Sequence, residues 1–439
     1  MKINIITLGC SKNIVDSENL AGCLKDAGCS VFFDRDRTDC DVVVVNTCGF
    51  IGDAKEESVN TVLQQVAIKR RGRKRHLLVV VGCLVERYKD ELRTELPEVD
   101  AWFGTHEWDE MLRYLLASRP VVRCAANGVP LSKQRILSTP RHYAYLKISE
   151  GCNRSCSYCA IPKIRGRHIS RPIDDIVVEA KRLVACGVRE LLVIAQDTTF
   201  YGLDLYGQRR LPSLLERLAL ESGADWIRLH YTYPSAFPMD LLDVMARHDN
   251  ICKYIDIPLQ HINTNILSSM QRNIDREGTL KLIATIRERI PDITLRTTLI
   301  VGYPGETEEV FQELKQFVAE VKFDRLGVFA YSQEENTPAE PLGDPVPDDE
   351  KFRRLSEIMT LQDSISFEKN QRLVGRTMKV LIDRREGDYF IGRSQSDSPE
   401  VDDEVLVTPS PDDAIKLGSF CNVCITQAFE HDLMAAVVI

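Results

Sequence analysis

The sequence predicts an α/β protein in three parts. A doubly wound parallel-sheet domain comes first, then a partial (β/α)6 barrel, then a small antiparallel β-domain. Three observations lead there. Over the first 120 residues, continuous Val/Ile/Leu runs alternate with helical stretches, the pattern of parallel strands covered on both faces. Six further strand signals recur over about 190 residues with helices between them, too many for a small sandwich and suited to a barrel with an open side. The last 70 residues carry short β runs separated by Asp, Gly, Ser and Pro.

In chain order, strands are expected at Lys2–Leu8, Val31–Phe33, Val42–Val45, Leu77–Val81 and Ala101–Phe103, with helices at Ser17–Ala27 and Ala54–Ala67. A turn-rich connector runs from Ala126-Asn127-Gly128-Val129-Pro130 to Thr139-Pro140. The barrel strands are expected at Tyr143–Ser149, Glu190–Gln196, Trp226–Tyr231, Lys253–Pro258, Ile293–Val301 and Arg325–Tyr331. A Pro-rich loop, Pro338–Pro347, precedes a helix-period segment, Lys351–Asn370. Met378–Ile382, Tyr389–Arg393, Val405–Val407 and Cys421–Phe429 then form the terminal barrel or sandwich. The domain limits are 1–120, 138–368 and 370–439.

Composition excludes several classes. At 44% apolar and 28% charged the chain is ordinary globular protein. The net charge of −9 argues against a surface that grips nucleic acid throughout. No apolar run approaches the roughly 20 residues that span a bilayer. The N-terminus lacks a basic region and a small-residue cleavage site, so the expected location is the cytoplasm. There, 14 cysteines mean metal, redox chemistry or plain burial rather than a disulfide scaffold.

One cysteine group is compact. Gly151-Cys152-Asn153-Arg154-Ser155-Cys156-Ser157-Tyr158-Cys159 is C-x3-C-x2-C at the end of the first barrel strand, where barrel active sites lie. Three thiolates in one loop can hold three corners of a four-iron cluster and leave the fourth iron open. A structural zinc is the competing reading. It normally takes four ligands in paired spacing, and the nearest further candidate is His168. The other group is dispersed. Cys10, Cys48 and Cys83 each follow a parallel strand and each adjoins a glycine. Strand ends of a doubly wound sheet converge on its ligand crevice, and glycine lets backbone approach a bulky ligand. One such cysteine would read as buried core; three in matching positions read as a second three-thiolate cluster. Cys23, Cys29, Cys40, Cys124, Cys186 and Cys252 carry no partnered motif. Cys421 and Cys424, three apart on a strand, face opposite sides.

With these residues in place, the chain resembles the radical S-adenosylmethionine (SAM) enzymes, on C-x3-C-x2-C with Tyr158 before the last cysteine. The N-terminal three-cysteine domain and a C-terminal β-domain similar to the TRAM domain narrow the resemblance to the methylthiotransferases. Thr7-Leu8-Gly9-Cys10-Ser11-Lys12-Asn13-Ile14-Val15-Asp16-Ser17-Glu18, Asn46-Thr47-Cys48-Gly49-Phe50-Ile51 and Gly392-Arg393-Ser394-Gln395-Ser396-Asp397-Ser398-Pro399-Glu400 resemble the branch that modifies an aspartate of a ribosomal protein. The resemblance implies two 4Fe-4S clusters, one on Cys152, Cys156 and Cys159 and an auxiliary one on Cys10, Cys48 and Cys83. It implies SAM as cofactor, with Tyr158 near the adenine and Gly302 and Glu306, in Leu299–Glu306, lining the SAM site beside His261. It implies a methylthio group set on the β-carbon of an aspartate of small-subunit ribosomal protein S-twelve, free or in the assembled subunit. A flavodoxin- or ferredoxin-type electron donor is implied too.

Charge bears on the substrate. From Asn370 onward there are 12 Asp/Glu against 7 Lys/Arg, a surface suited to a basic ribosomal protein and repellent to a tRNA backbone. Asp397, Glu400, Asp402 and Asp403 are the candidate recognition residues, and no direct tRNA binding and no membrane contact are expected. The basic run Lys69–His76, six of eight residues Lys or Arg, reads as a solvated loop or as a contact to RNA phosphates. Two alternatives stay open: a tRNA adenosine methylthiotransferase, and a non-catalytic iron–sulfur module that binds ribosomes.

Overall fold

The computed structural model describes residues 1–34, 39–71, 76–116, 135–409 and 415–438. The turn sequence Ala126–Pro130, Cys124 and positions 72–75 of the basic run lie outside them. The described chain forms two compact units. The first is Met1–Thr139 with Glu150–Arg154 and Cys159–Ile169; the second is Pro140–Ser149, Ser155–Tyr158 and Ser170–Ile439.

The first unit is built on β1 (Lys2–Thr7), α1 (Ser11–Asp26), β2 (Ser30–Phe33), β3 (Val42–Thr47), α2 (Gly52–Arg71), β4 (Leu77–Gly82), α3 (Cys83–Glu95), β5 (Ala101–Phe103) and α4 (Trp108–Leu116). The sheet is parallel throughout, in the order β2-β1-β3-β4-β5. β3 is buried along its whole length, and β4 after its first residue. Alternate residues feed opposite cores. Ile3, Ile5, Val42, Val44, Val79 and Val81 face Leu20, Leu24 and Trp108; Val43, Val45, Leu78 and Val80 face Val62 and Val66. In this strand order the connections reverse direction between β1 and β3, and the crevice beyond those strand ends is where doubly wound sheets bind ligands.

The second unit holds an open six-stranded parallel sheet. From one edge its strands are β6 (Tyr143–Lys147), Glu190–Ile194, Trp226–Leu229, Ile251–Asp256, Thr294–Val301 and Arg325–Ala330. This is the partial (β/α)6 barrel. The helix Asp348–Gln371 leads from it to a closed barrel of five strands, Thr377–Glu386, Tyr389–Arg393, Glu404–Thr408, Phe420–Ala428 and Asp432–Val437. The last of these closes the barrel, parallel to Glu404–Thr408 and antiparallel to Phe420–Ala428. Among the described residues no helix is long and apolar enough to cross a membrane.

Candidate active site

In the first unit the three dispersed cysteines stand at the switch point. Cys10 caps α1, Cys48 follows β3, and Cys83 opens α3. Two helix N-termini therefore present their positive ends to Cys10 and Cys83. Cys10 is exposed, whereas Cys48 and Cys83 are buried. Close approach is built into the backbone. A Cβ on Gly9, which has φ +86°, would lie 2.8 Å from Cys48 Sγ, and one on Gly49 would lie 2.7 Å from the backbone of Leu84. Burial first, then Cys10 and Cys83 nearby, push the Cys48 thiol up to about 12, and burial raises Cys83 against the pull of Arg165. Thiols crowded this way would lose their protons to solvent when a metal centre supplies positive charge in their place. Among the described residues no three His, Cys, Asp or Glu side chains close on one point as ligands of a single ion do. Ligands of a cluster stand apart by the width of the cluster itself, and this donor set of two buried thiols and one exposed thiol fits one.

The polar residues around these cysteines hold the strand ends in place. Asn13 Nδ2 donates to Leu8 O at 2.8 Å and Thr47 O at 3.1 Å; Asn46 Nδ2 donates to Asn13 O and to Ser17 Oγ. Ser58 Oγ accepts from Cys48 N and donates to Cys48 O, fixing that loop to α2. Cys83 packs with Ala160 and Ile164, so a cysteine of the dispersed group touches the residue next to Cys159.

The loop Cys152–Cys159 is divided. Cys152 and Cys159 belong to the first unit, Cys156 and Tyr158 to the second. In the first, Cys152 N donates to Gly166 O at 3.1 Å and Cys152 Sγ accepts from Arg154 N at 3.4 Å. In the second, Ser157 is pinned by Met270 O, Ser269 O and the Tyr303 hydroxyl. Arg272, 3% exposed, donates through Nη1 to Cys156 Sγ and to the Tyr158 hydroxyl, each at 3.3 Å, and through Nη2 to Pro258 O. Its guanidinium lies 4.2 Å from the Tyr233 ring centre, and the Tyr233 hydroxyl sits 3.5 Å from Cys156 Sγ. Arg272 Nε and Gln260 Oε1 are buried without a hydrogen-bond partner. A buried unmet donor and acceptor fit a polar ligand such as the amino-acid end of SAM.

Family models match most of the chain in three blocks: uncharacterized protein family UPF0004 over residues 2–104, the radical SAM superfamily over 146–318, and the TRAM domain over 374–438. The chain is 51% identical to ribosomal protein uS12 methylthiotransferase RimO of Phocaeicola vulgatus, covering 99% of both chains. It is 50% identical to the protein of that name from Cytophaga hutchinsonii, over 100% of this chain and 98% of the relative. It is 52% identical to that from Flavobacterium psychrophilum, over 98% and 97%. The chain belongs to the uS12 methylthiotransferase family. Among solved structures, the radical SAM methyltransferase TsrM of Kitasatospora setae shares the fold at TM-score 0.55 and 16% identity, over 77% of this chain and 73% of that one. The radical SAM fold carries SAM and a 4Fe-4S cluster.

In this methylthiotransferase the residues expected at the SAM site lie among packed neighbours. Tyr158 packs against Ile266, Met270, Tyr303, Tyr331 and Ala339. Gly302 N donates to Glu306 Oε1, which also accepts from Arg354 at 2.6 Å; Glu306 Oε2 meets His261 Nε2 at 3.1 Å. The Glu306 side chain is fully buried, so the Gly302–Glu306 turn is braced within the protein.

The acidic segment is also turned inward. Asp397 binds Arg325 and accepts from Ser394 Oγ at 2.6 Å. Asp402 accepts from the Tyr254 hydroxyl at 2.7 Å and from Arg296 Nε at 3.2 Å. Asp403 accepts from Asn370 at 3.1 Å and pairs with Arg325. Glu400 is exposed at the backbone turn but receives the hydroxyls of Tyr143 and Tyr145. Arg325 and Tyr143 open their strands, so the segment closes the N-terminal end of the partial barrel, the end that carries stability in barrels. The three aspartates do not form a free acidic face for substrate, because barrel arginines and tyrosines hold them.

Arg165, Arg272 and Tyr233 escaped the sequence reading. Nothing in spacing separates a buried arginine from the usual solvated one. The only available hint was proximity to the motif, since Arg165 lies six residues past Cys159.

Proposed function

We propose that this methylthiotransferase acts on small-subunit ribosomal protein uS12, placing a methylthio group on the β-carbon of an aspartate. The observation that carries the reading is about 50% identity to uS12 methylthiotransferases over essentially the whole of both chains. That bond is an unactivated C–H, beyond the reach of any general base among the side chains. Two 4Fe-4S clusters and SAM, when bound, supply a radical route to that carbon and the methylthio group it receives.

The residues divide the remaining work. Cys152, Cys156 and Cys159 hold one cluster, and Arg272 fixes the Cys156 sulfur and the Tyr158 ring from a single buried guanidinium. Cys10, Cys48 and Cys83 hold the other at the end of the parallel sheet. The contact of Cys83 with Ala160, beside Cys159, supports neighbouring sites. The UPF0004 block carries the auxiliary cysteines and the middle block the radical chemistry. The TRAM block closes the barrel and offers the remaining surface to the ribosomal protein. A cytoplasmic location and a flavodoxin- or ferredoxin-type donor complete the proposal, with the ribosomal protein rather than tRNA as target.

A competition assay tests it. The protein is reconstituted anaerobically with iron and sulfide, then given SAM, a reductant, the uS12 target-loop peptide and bulk tRNA. A methylthio mass gain on the peptide's aspartate with unchanged tRNA is expected. A gain on tRNA alone overturns the substrate.

A further inference from the structure

We infer that Arg165 is a positioning residue for the auxiliary cluster. It fixes the Cys83 sulfur and raises the cluster's reduction potential through a hydrogen bond to it. The inference rests on the proposal that Cys10, Cys48 and Cys83 hold a cluster.

The geometry is specific. Arg165 ends a five-residue helix, α5 (Ile161–Arg165), that starts two residues past Cys159 and carries Pro162 in its first turn. The side chain is 4% exposed and lies wholly within the first unit. Its Nε donates to Cys83 Sγ at 3.3 Å. Nη1 donates to Asp16 Oδ2 at 2.7 Å and Glu150 Oε2 at 3.4 Å, and Nη2 donates to Asn13 Oδ1. A guanidinium is planar with its donors in a fixed fork. Holding both terminal nitrogens therefore fixes where Nε–H points, and it points at the sulfur. Burial opposes the charge, yet Cys83, Glu150, Asp16 and Cys10 around it keep Arg165 firmly protonated. The motif residues Asn13 and Asp16 thus serve to aim this arginine. Ile164, one residue before it, packs with Ala160 against the same cysteine, so the peptide that leaves Cys159 grips Cys83 twice.

A donor fixed on a cluster sulfur stabilises the reduced state, in which more negative charge rests on the ligands, over the oxidised one. Removing it should lower the potential, and Asp16 and Glu150, left without their cation, act in the same direction. A residue that only supported the fold would leave the potential where it was.

The test uses the full chain carrying Cys152→Ala, Cys156→Ala and Cys159→Ala, so that any cluster present is the auxiliary one. Iron content and the midpoint potential from an EPR-monitored titration are measured for this parent and for Arg165→Met and Arg165→Lys in it. The proposal expects a clear shift to more negative potential in R165M. It expects a smaller shift of the same sign in R165K, which keeps the charge but cannot reach all four acceptors. If R165M holds no cluster, R165K decides by the same criterion. A cluster whose potential is the same in the parent and in every variant that retains one overturns the proposal alone. A parent without any cluster overturns the premise and the proposal with it.

Discussion

Arg272 Nη1 lies 3.3 Å from Cys156 Sγ and the same distance from the Tyr158 hydroxyl, so one buried guanidinium orders a cysteine of the compact motif and its aromatic neighbour. The turn that aims it is unusual. Gln271 and Asn273, on either side, both have φ near +55°, a conformation that non-glycine residues rarely hold without cause. Lysine cannot reproduce the fork. Arg272→Lys should lower 5′-deoxyadenosine formation from SAM about 10–100-fold, the usual cost of losing an outer-shell partner. Product quantified by mass spectrometry checks this, and wild-type rates would refute it.

Gly9 lets the backbone beside Cys10 approach Cys48 by being small. Its φ of +86° and the 2.6 Å that would separate an added Cβ from Cys48 Cβ both oppose a side chain. Gly9→Ala should fold with the auxiliary site distorted, and iron per chain should fall by about half as that four-iron cluster is lost. Iron and sulfide assays check it. Full iron content would show that the cysteines do not need this approach.

The inward-facing acidic segment makes an opposite forecast to a recognition role. Asp402→Asn removes a charge from a side chain that is 1% exposed and held by Arg296 and Tyr254. Losing one hydrogen-bonded charge of this kind costs about 1.5–3 kcal/mol. The melting temperature should drop while KM for the uS12 peptide stays put. A raised KM at unchanged stability would return the residue to substrate binding.

Asp403 gives a pH signature. Burial raises it to about 7, against Arg325 and with Asp397 adding to the rise. A carboxyl whose folded value exceeds its unfolded value of about 3.9 favours the folded state most when protonated. Its contribution is full below about pH 4 and is lost as pH rises through about 7. Asp403→Asn should therefore flatten stability between those values and gain most at pH 8. Denaturant midpoints at pH 5 and pH 8 for both proteins check the sign.

The sheets were legible because valine-rich runs such as Val42–Val45 admit little but buried strand. Cys10, Cys48 and Cys83 stood out because each follows a strand, and Cys152, Cys156 and Cys159 because they share one loop. Helix α1 was cut short. It begins at Ser11 rather than Ser17, since Asn13, Asp16, Ser17 and Glu18 are polar yet buried, the reverse of the pattern used to find amphipathic helices. The closing strand Asp432–Val437 was missed because its Met and Ala residues have weak strand preference and rely on cross-strand partners. The inward pairing of the acidic run is not legible for the same kind of reason. Charge is visible in a sequence, but the arginines that neutralise it come from strands more than 70 residues away.

Two cysteine triads are proposed to do different jobs in one reaction. The direct measurement is the Cys48→Ala variant, reconstituted and assayed for iron, 5′-deoxyadenosine and methylthio-peptide together. About four irons per chain are expected, with continued SAM cleavage and no methylthio product. Methylthio-peptide formed over many turnovers by a variant lacking the auxiliary iron would contradict it.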